Sequence, residues 1–207
     1  MQELLLYSNP MSRGRIARWM LEEIGQPYRV EMLAWGAPMK SAALLALNPM
    51  GKVPVLVHGN AVVSETAAIC AYLGDTFSEA GLAPRMNTER AAYYRWLFFT
   101  AGPLEAAITN RTFNCEPPEE KSRAVGYGTF NDVMNALEVA VSTTAYIAGD
   151  RFTAADVYVG SQIQFGLQFG TLEKKPAFLS YWDRLKSRPA LLRAADLDNA
   201  AAAAMKP

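Results

Sequence analysis

Three short segments in the first third of the chain carry residue types that suit the binding of a small charged ligand. In the first, Ser12 stands at the expected start of a helix, after an apolar run that ends in a turn. A hydroxyl group there can donate to a bound thiolate, and the helix dipole favours the same negative charge. Serine is also a common helix cap. The residue types alone leave both roles open for Ser12.

The second segment covers residues 48–55, Asn-Pro-Met-Gly-Lys-Val-Pro-Val, in which Pro54 stands at the start of a predicted strand. Proline has no N–H to donate, so it does not fit an ordinary position inside a sheet. A cis peptide after Val53 would turn the Val53 backbone outward, where it could pair with an extended ligand. A trans proline on an edge strand is the alternative.

The third segment is Val-Val-Ser-Glu-Thr at 62–66, which leads into a predicted helix. The free N–H groups and partial positive charge of a helix start bind carboxylates. Thr66 could add a hydroxyl donor, and Glu65 could pair with an ammonium group. Together they suit an amino acid head group that carries both charges. In the simpler interpretation Ser64 caps the helix and the other two are ordinary first-turn residues.

The elements that must position these segments alternate between strand and helix over the first 76 residues. Apolar runs and periodicity predict strands at 4–7, 28–33, 53–57 and 61–63, and helices at about 16–24, 41–47 and 64–76. The first helix should end at Gly25, which precedes Pro27. This order is typical of a small layered α/β domain.

Beyond residue 76 the pattern is helical throughout. We predict an α/β domain at 1–78, a linker at 79–86 and an all-helical domain at 87–207. Within the latter, Thr153 and Asp156 stand in the spacing of a capping box, which makes Asp156 a structural residue and not a catalytic acid.

One helix of the second domain is crowded with aromatic residues and continues into Gly102-Pro103, where we expect a kink or break. Aromatic side chains at this density cannot all face one side. Most should be core, and one or two could line a ligand pocket. The residues are Tyr93, Tyr94, Trp96, Phe98 and Phe99.

Composition excludes several classes of protein. The 207 residues carry no formal net charge and no block of like charges, so the footprint of a nucleic-acid binder is missing. Only 19% are charged, which fits a buried subunit interface or an apolar pocket. Cys70 and Cys115 match no metal-ligand spacing, and no segment has the length of a membrane span. We expect a cytoplasmic protein that uses no metal and binds no membrane.

In their order and spacing the motifs resemble the glutathione transferase superfamily over essentially the whole chain. They are Tyr-Ser-Asn-Pro-Met-Ser at 7–12, Gly-Gln-Pro-Tyr at 25–28, Asn-Pro-x-Gly-Lys-Val-Pro at 48–54, Ser-Glu-Thr-x-Ala-Ile at 64–69, Phe-Thr-x-Ala-Asp at 152–156 and Tyr-x-x-x-Leu-x-x-Arg-Pro-Ala at 181–190. The resemblance implies a thioredoxin-like first domain, an all-α second domain, and glutathione as co-substrate.

The resemblance also assigns binding roles. Pro54 is then cis, and the Val53 backbone pairs with the cysteinyl part of glutathione. Glu65 and Thr66 hold the γ-glutamyl head, in agreement with their charges and donors, and Lys52 lies near the peptide, where it could contact a carboxylate.

For catalysis, Ser12 matches the serine or cysteine that many members place at this helix start. Tyr7 occupies the place of the tyrosine that other branches use, so both remain candidates, with Ser12 favoured. Residues 8–15 contain no cysteine, which argues against the thiol-disulfide branches.

The implied function is detoxifying conjugation of glutathione to a small apolar electrophile by a homodimer. The alternatives are peroxide reduction or cleavage of halides or ethers at the same site, and a binding module without turnover.

Overall fold

The computed structural model describes residues 2–205, and its first part confirms the predicted alternation of strands and helices. The strands are β1 (Leu4–Ser8), β2 (Tyr28–Met32), β3 (Val55–His58) and β4 (Ala61–Ser64). The helices beside them are α1 (Gly14–Ile24), α2 (Ala42–Leu47) and α3 (Thr66–Thr76). Strand β3 begins after Pro54 because proline cannot donate to the ladder.

The four strands form one mixed sheet in the order β2-β1-β3-β4. Strands β1 and β2 are parallel, whereas β3 is antiparallel to both β1 and β4. Every second residue of β1 is buried, namely Leu4, Leu6 and Ser8. Because side chains alternate between the two faces of a strand, these three lie on the same face. This sheet with its flanking helices is the expected thioredoxin-like arrangement.

The other face of the sheet is covered by a small apolar cluster built around α2. Met39, Leu44 and Val55 are its buried members. Tyr7 packs against the cluster together with Leu33, Leu47 and Val53. The first strand therefore presents Ser8 and Tyr7 to opposite faces of the sheet.

The remaining helices are α4 (Asn87–Phe99), α5 (Glu105–Thr112), α6 (Phe130–Thr143), α7 (Ala154–Phe169), α8 (Pro176–Leu185) and α9 (Pro189–Ala204). Between α4 and α5 the backbone forms a π-helical turn at Thr100–Leu104, which contains Pro103. The predicted break is thus a local widening, because proline cannot make the α-helical hydrogen bond. Among residues 2–205, no helix combines the length and apolarity that crossing a bilayer requires.

Fewer of the crowded aromatic residues lie in the core than the sequence predicts, because only two of the five are buried. Tyr93 and Trp96 are buried, and Phe99 is half-buried. Phe98 and Tyr94 are both exposed, Phe98 to 73% and Tyr94 to 38%.

Two compact units organise the chain, and they differ from the predicted domains in one helix. The second unit is Pro84–Leu185, whereas the first runs to Ala83 and also includes the chain from Lys186 onward. Helix α9 therefore belongs with the sheet. Two polar pairs join it to α1, because Arg193 bonds Glu22 and Arg18 faces Asp198. Long-range pairs of this kind leave no local sequence pattern.

Candidate functional site

The sheet register brings the three candidate segments to one end of the sheet. Tyr7, the last residue of β1 but one, pairs with Val55 at the start of β3, and Val55 pairs with Ser64 at the end of β4. The turn into α1, the Val53-Pro54 peptide and the start of α3 all adjoin this row. We refer to this end, defined by Tyr7, Val55 and Ser64, as the active end of the sheet.

The turn from β1 into α1 is organised by the buried side chain of Asn9. Its amide nitrogen donates to the Leu33 carbonyl at 2.7 Å, and its amide oxygen accepts the Met11 N–H at 2.8 Å. The Asn9 carbonyl accepts from both the N–H and the hydroxyl of Ser12. Asn9 therefore fixes the position of Ser12, although the sequence interpretation gave it no role.

The half-buried Ser12 lies two residues before the first residue of α1, and its hydroxyl already both donates and accepts a hydrogen bond. Ser12 Oγ donates to the Asn9 carbonyl at 2.7 Å and accepts the Gly14 N–H at 2.9 Å. The second bond satisfies the first N–H of α1, but Ser12 is not the predicted cap, because Arg13 holds the cap position and makes no side-chain cap bond. Because a hydroxyl has one proton, Ser12 must turn away from Asn9 before it can donate to a ligand.

Tyr7 is half-buried against the α2 cluster, on the sheet face opposite Ser8. No hydrogen bond to its hydroxyl is formed by any residue within 2–205, so this donor is available. The two catalytic candidates thus differ in state: Tyr7 has a free hydroxyl beside α2, whereas Ser12 has an engaged hydroxyl at the start of α1.

The turn before β3 is held by the buried Asn48 in the same manner. Its amide nitrogen donates to the Lys52 carbonyl at 2.9 Å, and its amide oxygen accepts the Met50 N–H at 3.2 Å. Gly51 has a φ of 59°, and a β-carbon there would lie 2.6 Å from the Met39 carbonyl oxygen. Only glycine fits this turn, which leaves the Lys52 side chain exposed.

After this turn the Val53–Pro54 peptide is cis, as the resemblance implied. Pro54 is buried, and Val53 is half-buried outside the sheet ladder. Within the described part of the chain, no hydrogen bond is made to the Val53 backbone N–H or carbonyl. Val53 therefore lies at a bend just before β3, with its backbone donor and acceptor groups free.

The start of α3 is also free of caps. Ser64 ends β4, so the expected serine cap is wrong, and Glu65 holds the cap position without a side-chain bond. Glu65 has a φ of 68°, an unfavourable value for a residue with a β-carbon. Thr66 is buried, yet its hydroxyl has no partner among residues 2–205. The first turn of α3 therefore offers unpaired N–H groups and one hydroxyl to an anion.

The two asparagines that organise these turns share a sequence signal that predicts their role. Both occur in the tripeptide Asn-Pro-Met, at 9–11 and at 48–50. In each case the asparagine oxygen accepts the N–H two residues later, and its nitrogen donates to a backbone carbonyl, that of the distant Leu33 for Asn9 and that of the nearby Lys52 for Asn48. Asparagine before proline favours such turns. The distant partner of Asn9, the Leu33 carbonyl, could not be predicted from the sequence.

Comparisons with known proteins agree with this geometry. Residues 11–76 match the family model described as glutathione S-transferase, N-terminal domain. Glutathione S-transferase U1 of Arabidopsis thaliana is 30% identical over 162 residues, which are 78% of this chain and 69% of that protein.

Solved structures extend the likeness to the whole fold. A glutathione transferase from Methylococcus capsulatus superposes with a TM-score of 0.76 at 26% identity, covering 95% of this chain and 98% of the other. The theta class glutathione S-transferase of Xanthomonas axonopodis pv. citri, with glutathione bound, gives 0.72 at 25% identity, covering 94% and 98%. With its thioredoxin-like sheet and its all-helical second unit, the chain belongs to the glutathione S-transferase family.

Proposed function

We propose that this chain binds glutathione at the active end of the sheet and joins it, through its thiol sulfur, to a small apolar electrophile. One observation carries the proposal. At this end the unpaired backbone of Val53, the uncapped start of α3 at Thr66 and the start of α1 after Ser12 come together. These features match a peptide thiol with a charged amino acid head. Support also comes from the solved relative that holds glutathione.

The γ-glutamyl head has an anion and a cation to satisfy. We assign its carboxylate to the N–H groups of the first turn of α3 and to the Thr66 hydroxyl, where the helix dipole favours negative charge. The exposed Glu65 carboxylate takes the ammonium group. The backbone strain at Glu65 supports this role, since such strain is typical of ligand-binding positions.

The rest of the peptide extends along the turn before β3. The N–H and carbonyl of Val53 pair with the cysteinyl residue in the manner of a short strand, held by the buried Pro54. The exposed Lys52 ammonium contacts a carboxylate of the peptide. This arrangement directs the thiol toward the start of α1, where Ser12 and the helix dipole act on it.

The chemical step needs the thiolate. A free thiol with a pKa near 8.5 is only about 3% ionised at pH 7, and lowering its pKa by two units gives roughly thirtyfold more thiolate. The thiol proton leaves to water, and Ser12 turns its O–H from the Asn9 carbonyl to the sulfur. The thiolate then forms a carbon–sulfur bond with the electrophile, whose leaving group departs with the electron pair. Detoxification of reactive electrophiles is the corresponding role.

Binding is tested first at Thr66. Replacing Thr66→Val removes one donor to a charged carboxylate, a hydrogen bond worth about 1.5–3 kcal/mol. We expect glutathione to bind about 10 to 100 times more weakly by titration calorimetry. Thr88→Val is the control, since Thr88 is an exposed first-turn residue of α4. Equal affinity in Thr66→Val and the parent chain would contradict the anion site, and no binding by the parent would refute the proposal.

Thiolate formation is tested by separate replacement of the two hydroxyl residues. We expect Ser12→Ala to raise the pKa of bound glutathione, followed by the ultraviolet absorbance of the thiolate, by about one unit or more. Tyr7→Phe should leave that pKa nearly unchanged, because the thiol is assigned to the start of α1, whereas Tyr7 packs against the cluster at α2. The reverse outcome would transfer the catalytic role to Tyr7.

A second candidate function is a glutathione-binding module without turnover. The observation that favours it is that the Ser12 hydroxyl already donates its proton in a hydrogen bond to the Asn9 carbonyl. An intact binding site with an unshifted thiol pKa in the parent chain would select this alternative. Assays with an aryl halide and an organic peroxide would separate conjugation from reduction.

We also propose that the enzyme acts as a homodimer in the cytoplasm. The low charged fraction supports a buried subunit interface. The exposed free thiol of Cys115 suits a reducing compartment. Light scattering tests the dimer, and a solution mass near 22.7 kDa would contradict it.

A further inference from the structure

Ser8, the last residue of β1, carries a polar group that the fold does not use. Its side chain is fully buried, and its hydroxyl has no hydrogen-bond partner among residues 2–205. The Ser8 backbone is paired, since its carbonyl accepts the Leu33 N–H at 2.8 Å. Buried hydroxyl groups in folded proteins nearly always find a partner. The unpaired Ser8 hydroxyl therefore calls for an explanation.

The position of this hydroxyl relates it to Ser12. Gly14, the first residue of α1, leaves room for both side chains. A β-carbon at Gly14 would lie 2.0 Å from Ser8 Oγ and 3.0 Å from Ser12 Oγ, so the two oxygens flank one point. They form no hydrogen bond with each other here. The glycine allows Ser8 to approach the start of the helix to which the thiol is assigned.

The hydrogen bonds of Ser12 leave one place for a further donor. Ser12 Oγ already accepts the Gly14 N–H and donates its proton to the Asn9 carbonyl. A hydroxyl oxygen can accept two hydrogen bonds, so one acceptor site is open. Ser8 is a donor without an acceptor. Since the two oxygens lie 2.0 and 3.0 Å from the same point, Ser8 Oγ is no more than 5.0 Å from Ser12 Oγ.

We propose that Ser8 is a positioning residue, whose hydroxyl donates to Ser12 Oγ when the Ser12 hydroxyl turns toward a bound thiolate. This inference rests on the proposed glutathione function and on Ser12 as its thiol-activating residue. When the Ser12 hydroxyl turns away, the Asn9 carbonyl still accepts the hydrogen bond from the Ser12 N–H, so it is not left without a donor. The result is a chain of donors from Ser8 to Ser12 to sulfur. Each bond in such a chain polarises the next, which strengthens the Ser12 donor and stabilises the thiolate.

The test is the pKa of bound glutathione in Ser8→Ala, followed by thiolate absorbance across pH. We expect a rise of about one unit, equivalent to a tenfold lower ionised fraction below that pKa. The dissociation constant for glutathione should change less than about twofold, because Ser8 does not touch the peptide. Thermal stability should stay the same or increase, since the variant removes an unpaired buried hydroxyl. A purely structural serine would give the opposite pattern.

Two further variants make the test specific. In a Ser12→Ala background, Ser8→Ala should have no additional effect on the thiol pKa, because its influence passes through Ser12 Oγ. Thr100→Val is the matched control: Thr100 is also fully buried with an unpaired hydroxyl, but it lies in the helical unit. We expect it to leave the thiol pKa unchanged.

The outcomes separate this inference from the function on which it rests. Wild-type binding with a lowered thiol pKa that Ser8→Ala does not alter would overturn the role of Ser8 alone. An effect of Ser8→Ala that persists in the Ser12→Ala background would also overturn it. Failure of the wild type to bind glutathione or to lower its thiol pKa would overturn the proposed transferase and this inference together.

Discussion

Replacing Asp156→Ala is expected to destabilise the helical unit by about 4 kcal/mol, the upper range for a single substitution. The fully buried carboxylate accepts four hydrogen bonds. Asp156 Oδ1 accepts the Ile147 N–H at 2.8 Å and the Tyr181 hydroxyl at 2.6 Å. Asp156 Oδ2 accepts the N–H and the hydroxyl of Thr153. Alanine would leave buried donors on three residues without an acceptor.

The electrostatics of the group agree with a structural role. Burial raises the pKa of the Asp156 carboxyl, while its hydrogen bonds from Tyr181, Ile147 and Thr153 act in the opposite direction. Burial and the neighbouring carboxylate raise the pKa of Tyr181, so the phenol stays a donor. The measurement is the midpoint of thermal unfolding by circular dichroism, which should fall by roughly 10 °C.

A second capping box provides the matched control. At the start of α6, Thr129 and Asp132 form the same reciprocal pair, but the Asp132 side chain is exposed. Hydrogen bonding from Thr129 lowers the pKa of Asp132. Asp132→Ala should cost far less stability, because water can satisfy the released donors. Equal losses in the two variants would contradict the role assigned to burial.

Replacing Arg18→Met is expected to destabilise the first unit by about 3 kcal/mol at pH 7.5. Arg18 Nε lies 3.1 Å from Asp198 Oδ1, and both side chains are buried. Neither Arg18 Nε nor the Asp198 oxygens have a well-aligned hydrogen bond within the described residues. Methionine would leave the Asp198 carboxylate buried without its counter-charge. Chemical denaturation monitored by tryptophan fluorescence would measure the loss.

The pH dependence of this loss is a sharper test. Burial raises the pKa of Asp198 to about 6, against the opposing effects of Arg18 and Arg15. The folded value exceeds the ordinary value of about 3.9, so protonation of Asp198 favours the folded state. That contribution is complete below about pH 4 and is lost as the pH rises through 6. Without Arg18 the pKa rises further, so the loss in Arg18→Met should shrink as the pH falls from 7.5 to 5.

Two comparisons separate charge from packing. The double variant Arg18→Met with Asp198→Leu should be about as stable as the parent at pH 7.5, since it removes both buried charges. Arg29→Met should have little effect at any pH, because the Arg29–Glu3 pair is exposed. A loss in Arg18→Met that did not depend on pH would show that packing, not charge, is responsible.

The order of elements was predictable because its signals are local. Alternating burial along β1 and the left-handed Gly25 at the end of α1 both follow from short-range patterns. The capping box of α7 and the break before Pro103 do as well. The overlooked box of α6 has the same Thr-x-x-Asp spacing, so it too was within reach of the sequence.

The three segments of the candidate site were predictable, but the hydrogen bonds that orient their side chains were not. Motif order identified the region around Ser12, the Val53-Pro54 peptide and the start of α3. The bond from Ser12 to the Asn9 carbonyl and the missing cap at Glu65 were not predictable. Each depends on where a rotatable side chain finds its partner after folding.

The sequence by itself determined the family, the elements and the segments that face the ligand, because propensities, caps and turns depend on near neighbours. Only the tertiary structure decided that α9 packs with α1, that Asn9 holds Ser12, and that Ser8 is left without a partner. These features join residues far apart in the chain or depend on the close approach of a helix to a strand. Burial and hydrogen bonding at such contacts exist only once the chain has folded.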